Sequence, residues 1–329
     1  MMDRRHLARS IFEVEAKTFD ELALAVFRYQ YDNNVVYREF CNLLSKNPAS
    51  VESPEDIPFL PIELFKTHRI VSGNAPAHKV FRSSGTTGAI NSSHYVSDLT
   101  CYEESFTRCF NQFFGPAEKY CLLALLPSYL ERNDASLVYM IEHLIHQTKH
   151  PDSGFFLYNQ EDLKNTLVRL DAMGPPVLLI GVTFALLDFV EKYPLRLGHT
   201  LIMETGGMKG RRREMIREEL HQKLKDGFGT DKIYSEYGMT ELMSQAYYLE
   251  DKKFHPPHWM RVMICDVNDP LQLVENGLTG SINVIDLANL DSCSFIATAD
   301  LGKAYPDGTF DVTGRMDQSD IRGCNLMWE

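Results

Sequence analysis

The stretch that decides the fold runs Phe81-Arg-Ser-Ser-Gly-Thr-Thr-Gly-Ala-Ile-Asn-Ser-Ser-His94. Its first residues predict the end of a strand at 79–82. Residues 83–88 hold no side chain that fills a core; two glycines free the backbone, and four hydroxyls lie beside consecutive N–H groups. Such a loop can bind a polyphosphate, and on its own it is equally typical of a flexible surface turn. It is not a Walker loop, because Gly88 is followed by Ala89 instead of lysine.

The composition excludes several classes of protein. With 329 residues, 44% of them hydrophobic, the chain can bury a large core, in about two domains or in one large α/β unit with a smaller appendage. Its net charge of −12, with residues 211–213 as the dense basic spot, argues against nucleic acid or an anionic membrane as partner. The longest apolar run, 177–187, is shorter than the ~20 residues that a membrane span needs. Seven cysteines without CxxC spacing, and no signal peptide, predict reduced thiols in a cytoplasm.

Hydrophobic periodicity predicts the order of helices and strands. Residues 1–47 read as helices, and a proline-punctuated connector follows between Pro48 and Pro61. Apolar strands then alternate with helices, which predicts a largely parallel sheet covered on both faces. The predicted strands are 69–71, 79–82, 120–126, 155–158, 177–180, 200–203 and 232–234, and the predicted helices are 100–114, 136–147, 161–170, 183–191 and 211–224. After Glu241, the predicted antiparallel strands are 259–267, 280–287, 293–298 and 309–313.

Four further motifs lie at or after predicted strands. The paired glycines of Glu204-Thr-Gly-Gly207 let a planar ligand approach the backbone at a strand end. The run Tyr237-Gly-Met-Thr-Glu241 offers an aromatic face, a glycine turn, a hydroxyl and a carboxylate. These groups suit the stacking of a base, a bond to a phosphate and the binding of Mg²⁺. Asp300 is suited to two ribose hydroxyls, and Gly314-Arg315 follows near the end of the chain.

In this order, the motifs resemble the adenylate-forming superfamily of acyl-CoA synthetases, luciferases and peptide-synthetase adenylation domains. The most specific match is Tyr237–Glu241, which agrees letter for letter with the superfamily's Tyr-Gly-x-Thr-Glu motif. Ala299-Asp300 resembles its Gly-Asp motif with alanine in place of glycine, and Gly314-Arg315 resembles the Gly-Arg before its hinge. The resemblance implies an α/β fold with mixed, mostly parallel sheets flanked by helices, followed by an antiparallel β lobe. It also implies ATP and Mg²⁺ as cofactors.

The resemblance assigns roles to individual residues. It implies that Tyr237 stacks on adenine, that Thr240 contacts the α-phosphate as a catalytic residue, and that Glu241 binds Mg²⁺. Asp300 and Arg315 hold the ribose. The remaining implied nucleotide-binding residues are those of the phosphate loop and of the two glycine turns: Ser83, Ser84, Gly85, Thr86, Thr87, Gly88, Gly206, Gly207 and Gly238.

Two departures point to one branch of the superfamily. The usual lysine after the phosphate loop is replaced by Ala89-Ile-Asn91, so we expect Lys209 to supply the missing positive charge. The chain stops at Glu329, which predicts that no mobile C-terminal domain follows. With residues 57–66 and 204–207, the chain most resembles the acyl-protein synthetase (LuxE-type) family. Members of that family form an acyl-adenylate, take the acyl group onto a cysteine near their C-terminus and pass it to a reductase subunit. Cys324 stands where that cysteine is expected.

We therefore predict three segments: an N-terminal helical segment (1–50), an α/β nucleotide- and acyl-binding core (51–241) and a β-rich lobe with a C-terminal arm (242–329). The expected substrate is a carboxylic acid, a fatty acid by the resemblance, that enters beside residues 181–186. The expected acceptor is a protein thiol, such as that of an acyl reductase or carrier. Two alternatives remain open: a CoA ligase of the phenylacetate type, and an inactive nucleotide-binding regulator.

Two other chemistries are disfavoured. The histidines His143, His146 and His150 share a helix face, but without Cys or acid ligands at fixed spacing a solvated face accounts for them better than a metal site. The sequence has no Gly-x-Ser-x-Gly elbow, so a serine acyltransferase is not supported.

Overall fold

A twelve-stranded mixed sheet forms the centre of the structure, a computed structural model that describes residues 3–83, 90–127, 133–207, 213 and 215–316. The helices are α1 (Arg4–Ile11), α2 (Phe19–Asn33), α3 (Val35–Leu43), α4 (Leu64–Thr67), α5 (Leu99–Phe114), α6 (Ser136–Thr148), α7 (Gln160–Met173), α8 (Thr183–Lys192) and α9 (Arg217–Phe228). The strands are β1 (Leu60–Pro61), β2 (Lys79–Arg82), β3 (Ser93–Val96), β4 (Cys121–Leu125), β5 (Gly154–Phe155), β6 (Val177–Val182), β7 (Thr200–Thr205), β8 (Ile233–Tyr237), β9 (Ala246–Tyr248), β10 (Phe254–His255), β11 (Met260–Cys265), β12 (Gly280–Asp286), β13 (Phe295–Ala304) and β14 (Phe310–Arg315).

The first half of the sheet is parallel and buried. Strands β5, β4, β6, β7 and β8 lie side by side in that order, and each pair is parallel. Every residue of β4 and β6 is buried, as their apolar runs predict for strands covered on both faces. Because parallel strands share a direction, the C-terminal ends of β6, β7 and β8 meet at one edge of the sheet. That edge is where open α/β sheets bind ligands.

The second half of the sheet is antiparallel and continues from β8. Strands β9, β10, β14, β13, β12 and β11 follow in that order, and β1 pairs in parallel with β13. The predicted segment boundary at residue 241 falls in the connection between β8 and β9, within this one sheet. The β2–β3 hairpin is a separate two-stranded antiparallel sheet outside the large one. The α/β class and the mixed sheet flanked by helices are thereby confirmed.

The N-terminal helices pack against the antiparallel half. Phe27 of α2 and Tyr37 of α3 are fully buried and contact Phe295 at the start of β13, with ring centroids 6.2 and 5.9 Å apart. Full burial of each such ring contributes ~1.5–3 kcal/mol before entropic costs. The buried Gln30 amide donates to the backbone carbonyls of Asn289 and Leu290. These contacts fix the short 3₁₀ turn Leu287–Asn289, which contributes to the candidate site.

Most predicted elements are confirmed, but one predicted strand does not form and three predicted elements have clearly different bounds. Residues 69–71 form no strand: Ile70 is fully buried, but its carbonyl accepts a hydrogen bond from the Ser292 hydroxyl instead of from a neighbouring strand. The strand predicted at 155–158 is Gly154–Phe155. The strand predicted at 293–298 continues to Ala304 because β14 pairs along it. The helix predicted at 211–224 is α9, which begins at Arg217 and ends at Phe228.

Four strands were absent from the sequence prediction. They are β1, β3, β9 and β10, each four residues or fewer, so that periodicity has little to detect in them. Among the residues that the structure describes, no helix is both long enough and apolar enough to cross a bilayer. The six described cysteines are free thiols.

Candidate active site

The predicted phosphate loop connects the two strands of the β2–β3 hairpin. At the base of the hairpin, the Ser83 amide donates to the Ser92 carbonyl over 3.1 Å, and the Ser92 amide donates to the Ser83 hydroxyl over 2.9 Å. Ser83 is thus held in place by backbone and side-chain bonds. The other predicted loop residues lie outside the described residues: Ser84, Gly85, Thr86, Thr87 and Gly88.

The glycine turn after β7 adopts a backbone that requires glycine. Gly206 and Gly207 have φ angles of 74° and 63°, in the left-handed region that residues with a Cβ rarely adopt. Among the described residues, no atom lies within 4 Å of the position that a Cβ of Gly207 would take. Lys209, the predicted charge-stabilising residue, lies outside the described residues.

The described residues bring the three predicted nucleoside contacts together. The Tyr237 hydroxyl, at the end of β8, donates to Asp300 Oδ2 of β13 over 2.9 Å. Arg315 of β14 is the cross-strand neighbour of Asp300, and its Nε lies 3.8 Å from Asp300 Oδ1. Burial raises the pKa of Asp300, and the Arg315 charge and the Tyr237 hydrogen bond oppose that rise. The Arg315 side chain is 74% exposed and so keeps most of its donors available to solvent or a ligand.

The Tyr237 ring packs at the edge of an aromatic group. Its centroid lies 5.7 Å from that of Phe254 and 5.5 Å from that of Phe310, and the residue is 9% exposed. These contacts fix the ring plane at the strand end. The next residue is glycine, and a Cβ on Gly238 would clash with a carboxylate oxygen of Glu236. The glycine therefore lets the chain turn away directly after the tyrosine.

Glu241 lies in the connection that follows and is 5% exposed. Burial raises its pKa, and the Ser92 hydroxyl and the positive charges of Arg315 and Lys66 oppose the rise. The described residues contain no group of three or more His, Cys, Asp or Glu side chains that could hold a metal ion. A single carboxylate nevertheless fits Mg²⁺, because Mg²⁺ is commonly bound by one or two carboxylates together with substrate phosphates and water.

The segment after Glu241 is anchored by a buried acid. Both Met243 and Ser244 donate their backbone amides to Asp286 Oδ2, over 2.8 and 3.0 Å. The Ser244 hydroxyl donates to Asp286 Oδ1 over 2.6 Å. Burial raises the pKa of Asp286 to about 6, and these hydrogen bonds oppose a larger rise. The motif thus ends in a segment whose backbone is tied to the end of β12.

Two buried carboxylates, those of Glu204 and Glu236, lie at the ends of β7 and β8; the sequence did not identify them as titrating groups. Glu204 accepts a hydrogen bond from Thr183 over 2.7 Å and lies 3.5 Å from Arg217 Nη1. On the next strand, Glu236 accepts a hydrogen bond from Thr205. Burial raises the pKa of Glu236 to about 7, and the Glu204 charge adds to the rise. The sequence did hold a signal for such a pair: each of the two strands carries one glutamate at its next-to-last position.

The pKa of Glu204 is shifted in the opposite direction, downward. Burial alone would raise its pKa, but the neighbouring His221, the Arg217 charge and the hydroxyls of Ser235 and Thr183 together lower it. Arg217 also lies over the Phe254 ring, 4.5 Å from its centroid. Glu204 is therefore matched by a cation, whereas Glu236 has a neutral hydroxyl as its hydrogen-bond partner and the negative charge of Glu204 nearby.

The predicted acyl entrance, residues 181–186, is the corner between β6 and α8. All its residues are buried, and a Cβ on Gly181 would lie 2.8 Å from the Leu186 side chain and 3.1 Å from the Leu125 carbonyl. The corner is closely packed. Cys324 lies outside the described residues.

With the geometry in place, comparison with known proteins gives the family. A family model described as acyl-protein synthetase, LuxE, matches residues 1–329. The chain belongs to the LuxE acyl-protein synthetase family. Two curated relatives are each named long-chain-fatty-acid–luciferin-component ligase. The one from Aliivibrio fischeri is 23% identical over 96% of this chain and 89% of its own length, and the one from Vibrio harveyi is 23% identical over 93% and 85%.

Solved structures with the same fold are adenylate-forming ligases. A 2-hydroxyisobutyryl-CoA ligase, in complex with 2-HIB-AMP and CoA, has a TM-score of 0.70 at 14% identity, over 97% of this chain and 73% of its own. ATP-bound MatB from Rhodopseudomonas palustris has a TM-score of 0.55 at 17% identity, over 74% of this chain. The matched part is about half of the MatB chain, 49%. At these identities the likeness shows that this member of the LuxE family has the adenylate-forming fold.

Proposed function

We propose that this chain uses ATP and Mg²⁺ to convert a carboxylic acid, with fatty acids as the substrate class to test first, into an acyl-adenylate. It then transfers the acyl group to a cysteine thiol. The observation that carries the proposal is the meeting of Tyr237, Asp300 and Arg315 from three different strands. An aromatic ring, a buried acid and an exposed cation at one sheet edge suit a nucleoside with an attached phosphate. Membership of the LuxE family and the names of the two ligase relatives support the same reaction.

In the first step, a carboxylate oxygen of the acid attacks the α-phosphorus of ATP. The new bond joins that oxygen to phosphorus, the bond to the bridging oxygen breaks, and pyrophosphate leaves with the electron pair. The protein's part is to position the reactants and to stabilise charge. Asp300 would accept hydrogen bonds from the ribose hydroxyls, Thr240 would contact the α-phosphate, and Glu241 would hold the metal ion. Mg²⁺, when bound, would neutralise charge on the phosphates.

In the second step, a thiolate attacks the acyl carbon of the mixed anhydride. A carbon–sulfur bond forms, the carbon–oxygen bond to AMP breaks, and AMP leaves as a stable anion. The attacking species must be the thiolate, since a thiol is a poor nucleophile. We propose Cys324 for this role.

The burial of the other cysteines supports Cys324. Burial raises the pKa of Cys41 to about 12 and those of Cys121 and Cys265 to about 11. It raises the pKa of each of the other three described cysteines as well: Cys101, Cys109 and Cys293. These six thiols stay protonated at neutral pH, which leaves Cys324 of the seven cysteines as the candidate nucleophile.

Exchange of labelled pyrophosphate into ATP, with a panel of carboxylic acids, tests the first step. Exchange that depends on the acid supports adenylation, and no exchange with any acid contradicts it in favour of an inactive nucleotide-binding protein. The second step is tested by incubation with ATP, Mg²⁺ and labelled fatty acid. A protein-bound label that neutral hydroxylamine releases supports a thioester, whereas free acyl-CoA formed on addition of CoA favours a CoA ligase.

Replacement of the proposed nucleophile separates the two steps. The Cys324→Ser variant should keep pyrophosphate exchange and lose the hydroxylamine-sensitive label. The matched control is Cys101→Ser, which changes a half-buried thiol and should keep both. Mass spectrometry that finds the label on one of the six other cysteines would assign the acyl group elsewhere.

A further inference from the structure

One face of strand β3 contacts the Thr240–Glu241 segment. Ser92 and His94 are two residues apart, so in extended chain their side chains point to the same face, and they are 3% and 1% exposed. The Ser92 hydroxyl lies close enough to the Glu241 carboxylate to lower its pKa against the effect of burial. The His94 ring instead contacts the backbone of the segment: its Nδ1 lies 2.8 Å from the Thr240 carbonyl oxygen. The hairpin that carries the predicted phosphate loop is thereby joined to the Tyr-Gly-x-Thr-Glu motif.

A second side chain completes the arrangement from the opposite side. The Asn289 amide nitrogen donates to the Glu241 carbonyl oxygen over 2.7 Å, and the Asn289 side-chain oxygen lies 3.0 Å from His94 Nε2. Two consecutive carbonyls, those of Thr240 and Glu241, are therefore bonded by two side chains that also contact each other. Asn289 itself is held by the Gln30 bond to its backbone carbonyl.

Both ring nitrogens of His94 face groups that can only accept a hydrogen bond: the Thr240 carbonyl at Nδ1 and the Asn289 side-chain oxygen at Nε2. Burial lowers the pKa of His94 to about 4, so at neutral pH the ring carries one proton and donates to one of the two. The contact at Nδ1 is the shorter one, 2.8 Å against 3.0 Å, and a bond there requires the proton on Nδ1. The Phe65 ring packs edge-to-face against the imidazole and holds its plane: the two ring centroids are 5.9 Å apart and the ring planes are at 89°. A histidine that served only to fill the core would not need to present Nδ1 to this carbonyl.

We propose that His94 is a positioning residue: through an Nδ1–H bond to the Thr240 carbonyl, and together with Asn289, it sets the position of the Thr240–Glu241 segment. This inference rests on the proposed adenylation, in which Thr240 and Glu241 contact phosphate and metal. His94 touches neither reacting group. Its effect reaches the reaction through the backbone of the motif, so its loss changes the requirement for Mg²⁺ and the turnover number, and leaves the affinity for the acid unchanged.

Substitutions at residue 94 separate positioning from packing. An asparagine amide nitrogen reaches about the position of Nδ1, whereas a glutamine amide nitrogen reaches about that of Nε2. His94→Phe keeps a planar aromatic ring, slightly larger than imidazole, and leaves the Thr240 carbonyl without this donor. We expect the kcat of pyrophosphate exchange to fall by about 10-fold or more and the Mg²⁺ concentration for half-maximal rate to rise. His94→Asn should restore most of the rate, and His94→Gln should resemble the phenylalanine variant. His258→Phe, at an exposed histidine, is the control for the substitution itself.

The test has two independent readouts. The first is pyrophosphate exchange, measured in variants whose fold has been checked by circular dichroism. The proposal would be overturned if kcat and the Mg²⁺ requirement of His94→Phe stayed within about 2-fold of wild type. Equal rates for the asparagine and glutamine variants would also overturn it. Nitrogen-15 NMR of wild type reports the tautomer, and a proton on Nε2 with Nδ1 unprotonated would also overturn it. If wild type shows no exchange with any acid, the proposed function fails, and the NMR measurement still decides whether the His94–Thr240 bond exists.

Discussion

Glu236 is a buried carboxylate whose replacement by glutamine should change how stability depends on pH. It lies at the end of β8, is 8% exposed and accepts a hydrogen bond from Thr205. The negative charge of Glu204, on the neighbouring strand, acts on it. Glutamine has nearly the same shape and keeps an oxygen that accepts the Thr205 bond. It removes only the ability to ionise. The substitution therefore isolates the free energy of placing a negative charge at this position.

The size of the effect follows from the two protonation equilibria. An ordinary glutamate has a pKa of 4.5, and burial raises the pKa of Glu236 in the folded protein to about 7. Between these values the folded state keeps a proton that the unfolded state has released, so the free energy of unfolding falls as pH rises through this window. At ~1.36 kcal/mol per pH unit, the whole window corresponds to ~3 kcal/mol. Of this, ~2.5 kcal/mol falls between about pH 5 and about pH 8.

Urea denaturation of wild type and Glu236→Gln at a series of pH values measures this free energy. We expect the variant to gain stability relative to wild type by ~2.5 kcal/mol from about pH 5 to about pH 8, because the other titrating groups are common to both proteins and cancel. Glu218→Gln, at an exposed position of α9, is the control for the loss of one carboxylate. A difference between wild type and Glu236→Gln that stays constant across this range, or that changes in the opposite direction, would refute the reasoning.

Three further substitutions test the candidate site. Glu241→Gln should keep the fold and lose Mg²⁺-dependent pyrophosphate exchange; exchange at the wild-type rate would remove Glu241 from the metal role. Asp300→Ala should raise the KM for ATP by about 10-fold while kcat changes less, because ribose contacts exist in both the ground state and the transition state. A lower kcat at unchanged KM would give Asp300 another role. Tyr237→Phe removes the hydroxyl that donates to Asp300 and should lower the free energy of unfolding, measured by urea denaturation, by ~1 kcal/mol. An unchanged free energy of unfolding would mean that this hydrogen bond adds no net stability.

Local sequence was sufficient for the elements that depend on local patterns. The buried strand β6 was predicted because a continuous apolar run is what a strand covered on both faces requires, and all its residues are buried. The helices α5 and α6 follow from apolar residues at helical spacing. The order of the nucleotide motifs was also readable, and with it the resemblance that the family match confirms.

Elements that depend on a distant partner were not predictable in the same way. Residues 69–71 have the composition of a strand, but within the described structure they join no sheet, and the Ile70 carbonyl accepts a hydrogen bond from the Ser292 hydroxyl instead. The opposite error occurred in β13, where pairing with β14 extends the strand past its apolar residues to Ala304. Periodicity reports which face of a segment is apolar. It does not report whether another backbone is available to pair with it.

The sequence by itself determined which chemical groups the site contains, because Tyr237, Glu241, Asp300 and Arg315 are each identified by a short motif. Only the tertiary structure decided which of these groups touch. The bond between Tyr237 and Asp300 joins residues 63 positions apart, and the contact between His94 and Thr240 joins residues 146 positions apart. The charge of Glu204 likewise acts on Glu236 because β7 and β8 are neighbouring strands, in which Thr205 is the partner of Glu236 and Ser235 that of Glu204. Hydrogen bonds and shifts in pKa depend on distance in space and on the exclusion of water, and both are set when the strands pack, whatever their separation along the chain.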